Sequence, residues 1–227
     1  MIDYSYIVYV LPAMIFALWA QYHVKSTFSK YSKIASENGM TGADAARLVL
    51  NANGLGSQVT IERVAGDLTD HYDPKANVIR LSNSVYDART EAAVGVAAHE
   101  AGHAVQYAND YMPIHLRSAI IPVTRIGSNL AFPLVILGIL FSIQFLVNVG
   151  VIFFGFSVLF QLLTLPVELD ASRRALENLK ASGLSEESTG AAKKVLGAAA
   201  LTYVAALAVA IGNFLRLLSI ANRSNRD

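Results

Sequence analysis

The 227-residue sequence contains no cysteine. Disulfides are therefore excluded, and so are thiolate metal ligands, which leaves His, Glu and Asp as the strong ligands. Net charge is almost absent. Eighteen Lys and Arg balance seventeen Asp and Glu, for +1 at pH 7, and such a chain offers no basic surface for nucleic acid. Charge is missing altogether from three long stretches, residues 4–22, 126–167 and 195–215. The middle one covers 42 residues, enough for two bilayer spans of about 20 residues each. Ser142, Gln144, Asn148 and Gly150 near its centre mark the turn. The last stretch is rich in Ala and Gly and would also fit a buried soluble helix. With 54% hydrophobic residues, four spans in a multi-pass membrane protein are expected. The first also lacks the marks of a signal peptide. Only Asp3 precedes it, so there is no basic leader, and no small-x-small cleavage site follows; it reads as an anchor.

Against this apolar background stands His99-Glu100-Ala101-Gly102-His103. His-Glu-x-x-His is the zinc-binding pattern of many metallopeptidases. On a helix, positions i and i+4 fall about 40° apart. His99 and His103 would then share a face, and both imidazoles could reach one metal. Glu100 would lie beside the first ligand, within reach of a water polarised by zinc, whose pKa falls to about 7. Five histidines and eight glutamates in 227 residues would give only about 0.004 such matches by chance. The small residues 91–98 before the motif suit a helix, expected over residues 90–107.

Around it, residues 26–38 read as a polar helix. Thr41-Gly42-Ala43-Asp44 resembles a capping box opening a helix that Gly54 would stop. Residues 59–64 alternate as a short strand, 66–77 form a loop, and 78–82 form a second strand. An exposed strand edge beside the motif could hold an extended peptide through its backbone. His71 lies in the loop, just before the turn-forming pair Asp73-Pro74. His115 follows the motif helix. Either imidazole could stabilise an oxyanion, although each also reads as an ordinary surface or loop histidine.

A catalytic zinc site usually has three protein ligands and one open position. Two membrane crossings return the chain to the side it left. Glu168, the first charge after them, therefore emerges on the face carrying His99 and His103 and is the candidate third ligand. It could instead be an interfacial carboxylate paired with Arg173 or Arg174. Lysines and arginines set the orientation. Lys25, Lys30, Lys33, Arg117, Arg125, Arg173, Arg174, Lys180, Lys193 and Lys194 all fall on one side of a four-span arrangement. Only Arg216, Arg223 and Arg226 fall on the other, so the catalytic segment is expected to be cytoplasmic.

The motif, taken with Leu165-Pro166-Val167-Glu168-Leu169-Asp170-Ala171-Ser172-Arg173-Arg174-Ala175, resembles the YugP-like membrane zinc metallopeptidases, and the likeness extends over the whole layout. The arrangement is also similar to that of larger integral-membrane gluzincins. The resemblance implies Zn2+ held by His99, His103 and Glu168, with Glu100 as general base. The larger families usually carry Asp four residues after the ligand Glu. Here that position is Ser172, with Asp170 two residues on, and both are candidates to support the ligands.

The expected fold is a mainly α membrane protein, with four transmembrane helices and a small α+β zincin-like metallopeptidase domain at the membrane surface. Its parts are an anchor (1–23), a soluble segment with the motif helix (24–118), a transmembrane hairpin (119–167), a helix carrying the third ligand (168–194), a last transmembrane helix (195–220) and a polar tail (221–227). The expected function is that of a membrane-anchored zinc endopeptidase, with a peptide or membrane-protein substrate, the lipid bilayer as partner and no nucleic acid. An intramembrane protease is disfavoured, because residues 89–110 are too polar for a span. The alternative from another class is a metal-binding membrane scaffold or adaptor without turnover. Substrate identity and oligomeric state leave no signature in the sequence.

Overall fold

The long charge-free stretches lie in helices, the form in which a chain crossing lipid would satisfy its own backbone. The structure is a computed structural model that describes residues 4–224. Asp3, Arg226 and the end of the expected tail lie outside the described residues. Four helical segments, Tyr6–Tyr31, Met112–Leu140, Gln144–Ala181 and Glu186–Asn222, are long and apolar enough to cross a membrane. The protein is mostly helical, with one small sheet.

A π-helical turn (Tyr6–Val10) leads into α1 (Leu11–Tyr31), and a 3-10 turn (Glu37–Gly39) precedes α2 (Gly42–Ala52). Three strands follow, β1 (Thr60–Val64), β2 (His71–Asp73) and β3 (Val78–Ser82). The short α3 (Asn83–Tyr86) leads to α4 (Glu91–Ala108), and the chain closes with α5 (Met112–Leu140), α6 (Gln144–Ala181) and α7 (Glu186–Ser224). By internal contacts the chain forms two units. One comprises residues 22–112 and 167–201, the other residues 1–21, 113–166 and 202–227.

In the first unit, Thr41 caps α2 as its sequence predicts. Its hydroxyl accepts from the Asp44 N–H at 3.0 Å, and the Asp44 carboxylate accepts from the Thr41 N–H at 2.9 Å. Two orphan donors of the first turn are thereby satisfied. Gly54, at φ +71°, follows the end of that helix. The region 26–38 differs from expectation: α1 runs on to Tyr31, and only a single 3-10 turn follows.

The sheet also differs. Residues 66–77 are not all loop, because 71–73 form β2. The strand order is β1-β3-β2, with β1 parallel and β2 antiparallel to β3. Asp73 makes the turn between β2 and β3 by accepting from the N–H groups of Lys75 and Ala76, an Asx turn. The central strand β3 is buried at both ends, while β2 is an edge strand.

Helix α4 is the centre of this unit. Its buried Ala93, Val94, Ala97, Ala98, Ala101 and Ala104 join a core that includes Leu50 of α2, Ile79 and Leu81 of β3, Leu179 of α6 and Leu196 of α7. Alanine brings the helices close while costing almost no side-chain entropy. Two glycines bring them closer still. A Cβ on Gly95 would sit 3.3 Å from the Ala192 Cα, and one on Gly102 would sit 2.5 Å from the Ala171 carbonyl oxygen.

The second unit buries Ala131 and Val135 of α5, Val147, Val151 and Phe154 of α6, and Leu217 and Ala221 of α7. Ser128 and Ser157 meet at 2.6 Å, the kind of small polar contact that joins helices in lipid. Outward on the same helices, Ile126, Ile136, Leu140 and Ile152 are exposed, as bilayer-facing positions should be.

Candidate metal and active site

The site is assembled wholly within the first unit, by α4, the start of that unit's segment of α6, and β2. Thr90 opens α4, its hydroxyl accepting from the Ala93 N–H. Helical spacing then places His99 and His103 together, with ring centroids 4.7 Å apart and planes at 79°. From α6, Glu168 turns its Oε2 toward both rings, 3.1 Å from His99 Nε2 and 3.5 Å from His103 Nε2. One ligand atom from each of the three residues falls within a common 4.8 Å. Glu168 is 5% exposed and His103 8%.

The other ring nitrogens are engaged elsewhere. His99 Nδ1 lies 3.0 Å from Ser172 Oγ, and His103 Nδ1 lies 3.0 Å from Gln106 Oε1. The group therefore presents two imidazole nitrogens and one carboxylate oxygen, all turned inward. This donor set suits zinc in chemistry and number.

Glu100, 9% exposed, does not join that triangle. Its Oε2 accepts from the backbone N–H of Tyr72 on β2 at 3.1 Å. Burial pushes the Glu100 carboxyl up to about 7. The Glu168 and Asp70 carboxylates push the same way, while His99 and the Tyr72 N–H oppose them. Asp70 is itself raised by burial and accepts from the backbone N–H and hydroxyl of Ser82. The edge strand thus meets the motif helix at its glutamate, and the Tyr72 and Tyr107 rings pack at 5.7 Å.

The remaining sequence candidates are placed as follows. Asp170 pairs with Arg173 and Arg174 and accepts from Gln106 Nε2 at 2.9 Å. Those arginines are thus engaged by Asp170 rather than by Glu168. Ser172 faces His99. His71 is exposed on β2, with Nδ1 2.8 Å from the Thr69 carbonyl oxygen, and is not part of the triangle. His115 lies on α5, in the other unit. A groove of about 680 Å³ along α6 and α7 touches Ser172, but none of His99, Glu100, His103 or Glu168 lines it. Sequence reasoning missed Tyr72, Asp70 and Gln106. For Gln106 the signal was available: it stands three residues past His103, on the same helical face.

Over residues 6–222 the sequence matches the family described as "Putative neutral zinc metallopeptidase". The chain belongs to this family. It is also 45% identical over 217 residues to "Putative membrane protease YugP" of Bacillus subtilis (strain 168), covering 95% of this chain and 96% of that protein. No solved structure matches it significantly. A metallopeptidase family suits a donor set of two imidazoles and a carboxylate.

Gly102 lies inside the motif, and substitution there tests how tightly the site depends on helix approach. In an open helix Gly→Ala gains about 1 kcal/mol. Against the Ala171 carbonyl, overpacking costs about 1–3 kcal/mol and drives Glu168 from the histidines. Gly102→Ala should lower the melting temperature in detergent and weaken zinc uptake. Gly190→Ala, on α7 with open space around it, should hold or raise the melting temperature. A Gly102→Ala protein as stable as its parent would contradict the packing account.

Proposed function

We propose that the protein is a membrane-anchored zinc endopeptidase. The observation that carries the reading is the convergence of His99 Nε2, His103 Nε2 and the Glu168 carboxylate beside a buried, separate Glu100. In this reading His99, His103 and Glu168 hold the ion, and the unit of residues 22–112 and 167–201 is a zincin-like domain at the membrane surface. Zinc supplies a Lewis acid for the scissile carbonyl and lowers the pKa of the attacking water.

Each protein group then has a stated task. A Glu100 oxygen takes the proton of the attacking water and returns it to the leaving amine nitrogen. Burial suits it to this, since a base works best with a pKa near the working pH. The β2 edge lies beside Glu100, whose Oε2 holds the Tyr72 N–H; an extended peptide pairing there would take over that donor and free the Glu100 carboxylate. Backbone pairing there would accept varied side chains, as a protease acting on peptides or membrane proteins requires.

The test separates base from ligand. Glu100→Gln should keep zinc and fold while peptide cleavage falls by at least about 10²-fold. His103→Ala should lose zinc and cleavage together. Zinc loss in Glu100→Gln would assign the glutamate to the metal instead. Full zinc without cleavage of a broad peptide library by the parent would favour the scaffold reading.

The Lys/Arg distribution favours the cytoplasmic side for this domain. Ser57 and Ser182 are both exposed in it. Ser57→Cys and Ser182→Cys should each resist an impermeant thiol reagent in intact cells and react after lysis. Labelling of both in intact cells would reverse the orientation.

A further inference from the structure

Gln106 is fully buried, at 0% exposure, on the face of α4 that meets α6. Its side-chain amide carries two N–H donors and one oxygen. Both donating contacts are made by Nε2, to the Val167 carbonyl at 2.8 Å and to Asp170 Oδ2 at 2.9 Å. Neither partner can donate in return. One is a backbone carbonyl, and the other is a carboxylate already bound to Arg173 and to Arg174 Nε at 2.6 Å. Reversing the amide would turn its oxygen against two acceptors in a buried place, so its sense is fixed by connectivity. Oε1 must then face His103 Nδ1, 3.0 Å away, and it can only accept.

We propose that Gln106 is a positioning residue that holds the proton of neutral His103 on Nδ1 and so delivers a bare Nε2 to the ligand triangle. This rests on the zinc reading of that triangle. The opposite ligand lacks such control, because the Ser172 hydroxyl beside His99 Nδ1 can rotate to donate or accept. The arrangement also gives Asp170 a task that its place on α6 obscures. Two residues past Glu168, it does not reach an imidazole itself. It anchors the amide that does, and the guanidiniums of Arg173 and Arg174 hold it there.

The test compares zinc affinity, by competition with a chelator in detergent, for the parent and two variants. Gln106→Leu removes donors and acceptor alike and should weaken zinc about 10–100-fold, the usual effect of losing a partner behind a ligand. Gln106→Glu keeps the volume and an oxygen toward His103; its second oxygen, set between the Val167 carbonyl and Asp170, must carry a proton to keep those contacts. It should bind zinc more tightly than Gln106→Leu and recover most of that loss. A Gln106→Leu protein that binds zinc like the parent would overturn the proposal. So would a Gln106→Glu variant as weak as Gln106→Leu, since an acceptor toward His103 would then count for nothing. The 15N spectrum of His103 in the metal-free parent, at a pH where the spectrum itself shows a single ring proton, sets Gln106 Oε1 at 3.0 Å against the Glu168 carboxylate at 3.5 Å as acceptors for that proton, and gives a reading independent of the variants and of zinc uptake. It should show a proton on Nδ1 and a bare Nε2; a proton on Nε2 would overturn the assignment even if Gln106→Leu fails to fold. A parent chain that takes up no zinc would instead remove the functional reading, leaving the spectrum to decide the role of Gln106.

Discussion

The close crossing of α4 and α6 at Gly102 is the contact on which the site depends. The Ala171 carbonyl oxygen lies 2.5 Å from where a Cβ on Gly102 would stand, too close for any side chain. That approach puts Glu168, three residues before Ala171, against both histidines, and Ser172, one residue after it, against His99 Nδ1. A bulkier residue would part the helices and with them all three candidate ligands. The same economy runs along α4, where alanines form most of the helix's share of the apolar core. Small side chains contribute little hydrophobic burial individually. Their return here is distance, since a site built across two helices tolerates very little spreading.

Glu168 faces both histidines. Two arginines follow it within six residues, close enough to capture it. Asp170 takes both, and Gln106 ties that group back to α4. Glu100 is kept apart from the triangle by the edge strand, whose Tyr72 N–H holds its carboxylate. Two glutamates within one small site thereby have distinct surroundings, one turned to imidazoles and one held by a backbone donor under burial.

Much of this was legible in the sequence, for physical reasons that can be named. The four long helices follow from stretches without charge, and the α2 cap follows from Thr41 and Asp44. The nearness of His99 and His103 follows from helical spacing. The nearness of Glu168 follows from counting two expected crossings, which matters more than its separation of 65 positions from His103. Strand β2 was hidden because three residues rich in turn and polar character carry no periodic signal. The parallel pairing of β1 with β3 was equally hidden, since register across a sheet depends on partners far along the chain. Gln106 and Asp170 stand at spacings a helix explains, but their meeting depends on how α4 and α6 pack. No local pattern records that.

The central claim is that one ion is held by two α4 imidazoles and one α6 carboxylate. Zinc-edge X-ray absorption of the purified protein, with metal content measured on the same sample, tests it most directly. The account predicts one zinc per chain, with two imidazole nitrogens at about 2.0–2.1 Å and the remaining ligands oxygen, and loss of that signature in Glu168→Ala. An unchanged zinc environment in Glu168→Ala, or zinc without imidazole scattering in the parent, would contradict it.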